Sequence, residues 1–164
     1  ETYATVVDLG PEIDHIHDIN ELGHVVGTLG DLFDHHAFLY TPLDGLMDLG
    51  AFDRKSRSYA CGVNDLGQVV GYSYKWRDRS TLFLALPPTY ELLNVDDLLD
   101  PVANDHDTLA RWYASNVFGS GTDTTITNPL PGEAFGQIGG ASLLDGIKEA
   151  YILTPVPPPV PPEE

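Results

Sequence analysis

Residues 19–27 read Ile-Asn-Glu-Leu-Gly-His-Val-Val-Gly, and residues 63–71 read Val-Asn-Asp-Leu-Gly-Gln-Val-Val-Gly. Asn20 aligns with Asn64 and Gly23 with Gly67, so the offset is 44 residues throughout. A fixed period of this length indicates an array of similar supersecondary units rather than one irregular domain.

Short strand patterns surround both copies of this motif. Residues 13–19, Ile-Asp-His-Ile-His-Asp-Ile, combine β-branched and polar side chains, and Gly, Pro, Asn or Asp bound most of the other apolar segments. Such segments favour short β-strands joined by turns. Leu43-Asp44-Gly45 is a turn signal between two of them. The only helical candidate, residues 95–102, is long enough for a turn or two.

One period divides into four strands, A to D. Strand A ends at the asparagine, a turn through Gly23 or Gly67 follows, and strand B carries Val-Val-Gly. Both glycines are predicted to have positive φ. The remaining assignments are strand C at 36–40 and 82–86, strand D at 46–50 and 90–94, and a degraded third copy with A at 110–117, B at 133–139 and C at 150–154.

The predicted fold is therefore all-β, with three four-stranded antiparallel repeats in a propeller-like arrangement. Residues 1–155 form one repeat domain with copies at about 11–50, 55–97 and 108–155, and residues 156–164 form a Pro-rich tail. The third copy lacks a D strand, but Val6-Val-Asp-Leu-Gly10 matches Leu46-Met-Asp-Leu-Gly50. Residues 2–9 are predicted to complete it, either in the same chain or by insertion into a neighbouring subunit.

The charge balance excludes some partners. The 164 residues carry a net charge of −17, which repels the phosphate backbone of nucleic acids. No segment approaches the roughly 18 apolar residues needed to cross a bilayer, so membrane insertion is not expected. Dense carboxylates attract divalent cations, although acidity can also serve only to keep an extracellular protein soluble.

Two kinds of metal-binding candidate follow from the sequence. The first is a pair of acidic loops that predict calcium binding, the alternative being plain solvated loops; their residues are Asp96, Asp97, Asp100, Asp105 and Asp107. The second is His15 with His17, two apart on a strand and so on one face, with Asp14 and Asp18 expected on the other. Asp34-His35-His36 is a further histidine cluster.

Catalytic motifs are absent from the sequence. It contains no Gly-x-Ser-x-Gly elbow, no His-Glu-x-x-His and no Cys-x-x-Cys. The single cysteine, Cys61, precludes an intrachain disulfide and is expected to be a buried apolar residue. Five aromatic residues are candidates for a sugar platform, or else for rim and core packing: Tyr72, Tyr74, Trp76, Trp112 and Tyr113.

The first copy resembles the bacterial extracellular HAF repeat, named for its His-Ala-Phe tripeptide. The residues that carry the resemblance are Asp18-Ile-Asn-Glu-Leu-Gly-His-Val-Val-Gly27, His36-Ala-Phe-Leu-Tyr40 and Met47-Asp-Leu-Gly50. The second copy keeps the first of these motifs and reads Thr81-Leu-Phe83 at the tripeptide. The resemblance implies secretion by a Gram-negative bacterium, and Leu153-Thr-Pro-Val-Pro157 is similar to the start of a Pro-Glu-Pro sorting tail. It implies no catalytic residue and no cofactor.

These observations predict a non-enzymatic extracellular or cell-surface structural protein that associates with itself, with filaments as one form of the assembly. The alternatives are a carbohydrate-binding module, with polysaccharide as the partner, and a glycan-active hydrolase.

Overall fold

The computed structural model describes residues 6–31, 34–75, 80–99, 124–131, 134–144 and 147–155. This part of the chain forms three antiparallel sheets of four, four and three strands, which confirms the predicted all-β class. Repeat 1 contains β1 Ile13–Ile19, β2 Val25–Asp31, β3 Asp34–Thr41 and β4 Gly45–Gly50; repeat 2 contains β5 Ser56–Val63, β6 Val69–Lys75, β7 Thr81–Ala85 and β8 Leu92–Asn94; repeat 3 contains β9 Thr125–Ile126, β10 Ile138–Leu144 and β11 Ile147–Leu153. The helical candidate is one turn of 3-10 helix, η1 Val95–Leu98.

Repeats 1 and 2 have the same strand order, and strands B and C pair in the same register in both. Each strand pairs with its sequence neighbours in the predicted order A–B–C–D. Gly27 lies opposite Phe38 in repeat 1, and Gly71 lies opposite Phe83 in repeat 2. A Cβ atom on Gly71 would lie 2.1 Å from the carbonyl oxygen of Tyr59 and 2.5 Å from the Phe83 ring. Glycine is therefore required where the aromatic ring crosses strand B.

The turns between strands A and B have the predicted geometry. Gly23 has φ of +77° and Gly67 has φ of +74°, in the left-handed region that glycine enters without steric cost. In each turn the side-chain oxygen of Asn20 or Asn64 accepts two backbone N–H bonds of 2.9–3.1 Å. The shared motif therefore encodes one turn, used twice.

Strand A does not keep the two-residue period of a regular strand. The register of β1 against β2 shifts between Ile13 and His15 and again between Ile16 and Asp18. The register of β5 shifts once, around Cys61, at the position equivalent to His17. Since a β-bulge re-aims the side chains beside it, the expected separation of histidines and aspartates onto two faces does not hold.

The hydrophobic core lies between the repeats rather than inside any one of them. Two clusters of buried side chains fill the two junctions. The first joins repeats 1 and 2 and contains Val26, Ala37, Leu39, Ala60, Val63, Val69, Phe83 and Ala85. The second joins repeat 2, η1 and repeat 3 and contains Val70, Leu82, Leu84, Val95, Ile126, Ile138 and Tyr151. A single sheet would leave these apolar faces in water, at a cost of roughly 25 cal/mol per Å².

Repeat 3 is described only in part. The described neighbour of β10 on the side away from β11 is β9, Thr125–Ile126; residues 110–117, predicted as strand A, lie outside the described part of the chain. Strand B begins at Ile138, where residues 133–139 were expected. Strand C is β11, as predicted.

The segment expected to complete repeat 3 is only partly described. Residues 6–10 carry no strand assignment, and residues 2–5 lie outside the described residues, as does the Pro-rich tail 156–164. Val6 and Val7 are 93% and 60% exposed.

The described residues form no closed barrel or propeller. They also include no helix with the length and apolar character that a membrane crossing requires.

Candidate functional site

Hydrogen bonds between the turns tie the three repeats together. The Asn20 side-chain amide donates to the carbonyl oxygen of Asn64 at 2.7 Å, and the Asn64 amide donates to that of Thr127 at 2.9 Å. Thr127 takes the asparagine position in repeat 3, since its hydroxyl accepts the N–H of Gln137 at 3.0 Å. At each of the two junctions, one asparagine side chain of a turn therefore donates to a backbone carbonyl of the next repeat.

The face of repeat 1 that points away from repeat 2 is partly exposed to solvent. We call it the leading face and define it by Ile16 and Ile19 of β1, which are 58% and 63% exposed. The equivalent residues of repeat 2 are Ala60 and Val63, which pack against repeat 1 and are 0% and 5% exposed. The leading face therefore carries apolar side chains at positions that are buried wherever another repeat precedes.

The opposite end of the array has the same property. We call the face of repeat 3 that points away from repeat 2 the trailing face and define it by Ala150 and Ile152 of β11. Ile152 is 72% exposed, whereas its equivalents Leu39 and Leu84 are 0% and 2% exposed. In the described part of the chain β11 is also the edge of its sheet, with no fourth strand beside it.

A cleft of about 230 Å³ opens where repeats 1 and 2 meet. Its lining is unusually rich in groups that bind protons or metals. The residues are Asp14, His15, His17, Thr28 and His35 from repeat 1, and Tyr59, Cys61 and Tyr72 from repeat 2. We call it the histidine cleft.

The bulge in β1 positions His17 in this cleft. Its Nδ1 lies 2.6 Å from the carbonyl oxygen of Ala60 in repeat 2. Because a carbonyl can only accept, Nδ1 carries the proton in the neutral ring and Nε2 carries the lone pair. The contact therefore fixes both the ring and its tautomer.

Asp14 and His35 meet deeper in the cleft. One Asp14 carboxylate oxygen, Oδ2, lies 2.9 Å from His15 Nδ1 and 3.8 Å from His35 Nε2. Both ring nitrogens of His35 are buried and make no hydrogen bond. The bulge at Asp14 brings this carboxylate to the histidines, where strict alternation predicted it on the other face.

Two stacked tyrosines form the repeat 2 side of the cleft. The rings of Tyr59 and Tyr72 lie 4.8 Å apart at 14°, and His35 meets Tyr59 edge-on at 5.7 Å. Burial, with smaller contributions from Cys61 and Tyr59, raises the pKa of Tyr72 above its ordinary value of 10.0. Each ring of the pair has one flat face occupied by the other.

The remaining predicted site residues lie elsewhere. Asp96 and Asp97 lie in η1, where the Asp96 N–H is bonded by the Asn94 side chain. Asp100, Asp105 and Asp107 lie outside the described residues, as do Trp76, Trp112 and Tyr113. As they stand, no three His, Cys, Asp or Glu side chains of the described residues are grouped to hold a metal ion. Cys61 is buried, as expected.

Sequence reasoning found His15 and His17 but not their partners. His36, not His35, belongs to the tripeptide motif, yet His36 lies outside the cleft and contacts Asp48 at 3.0 Å. The sequence signal for His35 is its position directly before His36 on the same strand. Because neighbouring residues of a strand point to opposite faces, His35 points away from the side on which His36 lies. The sequence signal for a bulge at Asp14 is the spacing of Ile13, Ile16 and Ile19, which lie three residues apart and not two.

No protein-family model, no curated protein sequence and no solved structure matches this chain.

Proposed function

We propose that this chain is an extracellular structural protein that associates head to tail with copies of itself. The observation that carries the proposal is the exposure of Ile19 and Ile152 at positions that are buried at the internal junctions. The trailing face of one copy carries apolar side chains at the positions by which repeat 1 contacts repeat 2. The leading face carries them at the positions by which repeat 2 contacts repeat 1. The two ends are therefore complementary by repetition.

The segment before β1 supports the same contact. In repeat 1, strand D ends at Gly50, whose N–H donates to the Asp48 carboxylate at 2.7 Å, and the chain then leads to the next strand A. Asp8 accepts the Gly10 N–H at 3.0 Å, and the chain then enters β1. The N-terminal segment thus ends as strand D of a preceding repeat would end.

These two features describe one interface. If residues 2–9 add to the edge of β11 in a neighbouring copy, β1 follows onto the trailing face of that copy, as β5 follows β4 onto repeat 1. Burying an isoleucine side chain stabilises an interface by about 1.5–3 kcal/mol, and the added strand contributes backbone hydrogen bonds. Because the contact is heterologous, it produces rings or filaments rather than closed dimers.

The location outside the cell is part of the proposal and is supported by the resemblance of repeats 1 and 2 to HAF repeats. The net charge of −17 is compatible with solubility there.

The test compares Ile19→Asp, on the leading face, with Ile152→Asp, on the trailing face. Leu43→Asp is the control, because Leu43 is 90% exposed in the turn between β3 and β4. Sedimentation velocity over a range of concentrations is expected to show oligomers for the wild type and the control, and monomers for each face variant. Mixing the two face variants is expected to give a dimer, because each keeps one intact end.

Deleting residues 1–10 separates strand exchange from the other possibilities. Loss of oligomers is the expected result, and a peptide of residues 1–10 added to the wild type is expected to dissociate its oligomers by occupying the edge of β11. Three outcomes would overturn the proposal: a wild type that stays monomeric, a deletion that lowers the stability of a monomer through lost closure within one chain, and a mixture of face variants that forms no dimer. A monomer that binds polysaccharide would support a carbohydrate-binding module instead.

A further inference from the structure

His35 occupies an unusual position for a histidine. Its side chain is 13% exposed, and neither ring nitrogen has a hydrogen-bond partner. A buried polar group without a partner costs roughly 1–3 kcal/mol. In native proteins such a group usually has a function, or is paired with an ordered water or a bound ion.

The neighbours of His35 are metal-binding groups. Asp14 Oδ2 is 3.8 Å from His35 Nε2 and 2.9 Å from His15 Nδ1. Two ligand atoms of a tetrahedral zinc ion, each about 2.0–2.1 Å from the metal, lie about 3.3 Å apart. The two observed separations lie on either side of this value, so small side-chain rotations bring these atoms to ligand spacing.

His17 adds a nitrogen, Nε2, that is already in the unprotonated state required for metal binding. Its Nδ1 is held by the carbonyl oxygen of Ala60 at 2.6 Å, which leaves Nε2 with its lone pair in the cleft. Histidines that bind metals usually donate their other N–H to a carbonyl or carboxylate in this way. The ring of His15 stacks near that of His17, with centroids 6.3 Å apart.

We propose that Asp14, His15, His17 and His35 form a binding site for a divalent transition-metal ion of the zinc class. The side chains move to close on the ion, since no three of them are grouped around one point in the described structure. His15 and Asp14, with side chains 69% and 33% exposed, have the freedom to do so. His17 and His35 supply the fixed part of the site.

The donor set selects the class of metal. Three imidazoles and one carboxylate suit zinc, copper or nickel, whereas calcium takes oxygen ligands almost exclusively. The net charge of −17 raises the local concentration of any cation but does not distinguish between them. The selectivity therefore resides in the histidine nitrogens.

The experiment uses the full chain without a histidine tag, stripped with a chelator and titrated with zinc chloride in a calorimeter. One ion per chain and a higher melting temperature are expected. Cobalt(II) in place of zinc is expected to give the visible absorption of a tetrahedral complex. Losing only a supporting contact to a ligand typically lowers metal affinity 10–100-fold, so His17→Gln and Asp14→Asn are each expected to weaken zinc binding at least about tenfold.

His36→Ala is the matched control, because His36 lies on the same strand as His35 but contacts Asp34 and Asp48 outside the cleft. It is expected to leave zinc affinity unchanged. His35→Asn tests the buried ligand, and its melting curve in chelator shows whether it folds; Asp14→Asn and His15→Ala carry the test if it does not. The proposal is overturned if the wild type binds no zinc, or if the cleft variants bind as the control does. It is also overturned if calcium gives the higher melting temperature and zinc does not.

Discussion

Replacing Asn64 by alanine removes the side-chain hydrogen bond that joins the turn of repeat 2 to Thr127 of repeat 3. Asn64 is 4% exposed and its side chain makes four hydrogen bonds: it donates to Gln68 Oε1 at 2.7 Å and to the Thr127 carbonyl at 2.9 Å, and it accepts from the N–H groups of Leu66 and Gln68 at 3.1 and 3.0 Å. Each such bond contributes about 0.5–1.5 kcal/mol to stability.

The loss is smaller than the sum of these four contributions, because water and other protein groups replace some of the lost hydrogen bonds. Thr127 and Leu66 lie near solvent, and Gln68 Oε1 keeps the Gly136 N–H at 3.1 Å. The Gln68 N–H is buried and loses its partner, which costs about 1–3 kcal/mol by itself. Asn64→Ala is therefore expected to lower the free energy of unfolding by about 2–4 kcal/mol, measured by urea denaturation.

Asn128→Ala is the control for this variant. Asn128 also joins repeat 2 to repeat 3, through two bonds of 2.7 Å with Asp65, but these bonds are exposed. Water can replace them, so the expected loss is below about 1 kcal/mol. If Asn64→Ala is no more destabilising than Asn128→Ala, buried side-chain hydrogen bonds between turns do not hold the repeats together.

Three further predictions concern other parts of the chain. Gly71→Ala is expected to destabilise by more than about 2 kcal/mol, because its Cβ would lie 2.1 Å from a backbone oxygen; the free energy of unfolding measures it, with the more open Gly139→Ala for comparison. Millimolar calcium is expected to raise the melting temperature if the acidic loops around Asp97 bind it, and an equal melting temperature in chelator would identify those loops as solvated. The raised pKa of Tyr72 means that the unfolded phenol ionises first, so its contribution to stability is present below pH 10.0 and falls as the pH rises further; Tyr72→Phe is expected to reduce that alkaline loss in a pH series of melting curves.

The sequence motif was sufficient to predict repeats 1 and 2 but not the start of repeat 3. Asn20 and Asn64 belong to turns of equal length, so the offset is constant and the strands on either side follow from it. In repeat 3 a threonine replaces the asparagine and the turn from Thr127 to Gly136 is longer, which hides β9 from a search at fixed period. Only the hydrogen bonds show that Thr127 has the same role.

The histidine cleft was predictable only in part, because register shifts do not follow from residue type. Period-2 alternation places His15 and His17 on one face and Asp14 on the other. The bulges in β1 cancel that rule at two positions, and bulges depend on how two strands pair. Asp14 lies on β1 and His35 on β3, and β2 lies between these two strands. Their proximity therefore depends on the pairing of three strands and cannot be predicted from a local sequence pattern.

The repeats themselves distinguish the residues that build the array from those that line the cleft. Turn asparagines, turn glycines and the glycine–aromatic pairs recur in repeats 1 and 2, as stacking requires. The cleft residues do not: at the 44-residue offset, Ser58, Tyr59 and Cys61 of repeat 2 correspond to Asp14, His15 and His17 of repeat 1. Repeat 2 adopts the same fold without these donors, so the donors are not needed for the sheet. The proposed metal site and the proposed self-association are therefore expected to be separable, and loss of zinc binding in the cleft variants is expected to leave the sedimentation of the chain unchanged.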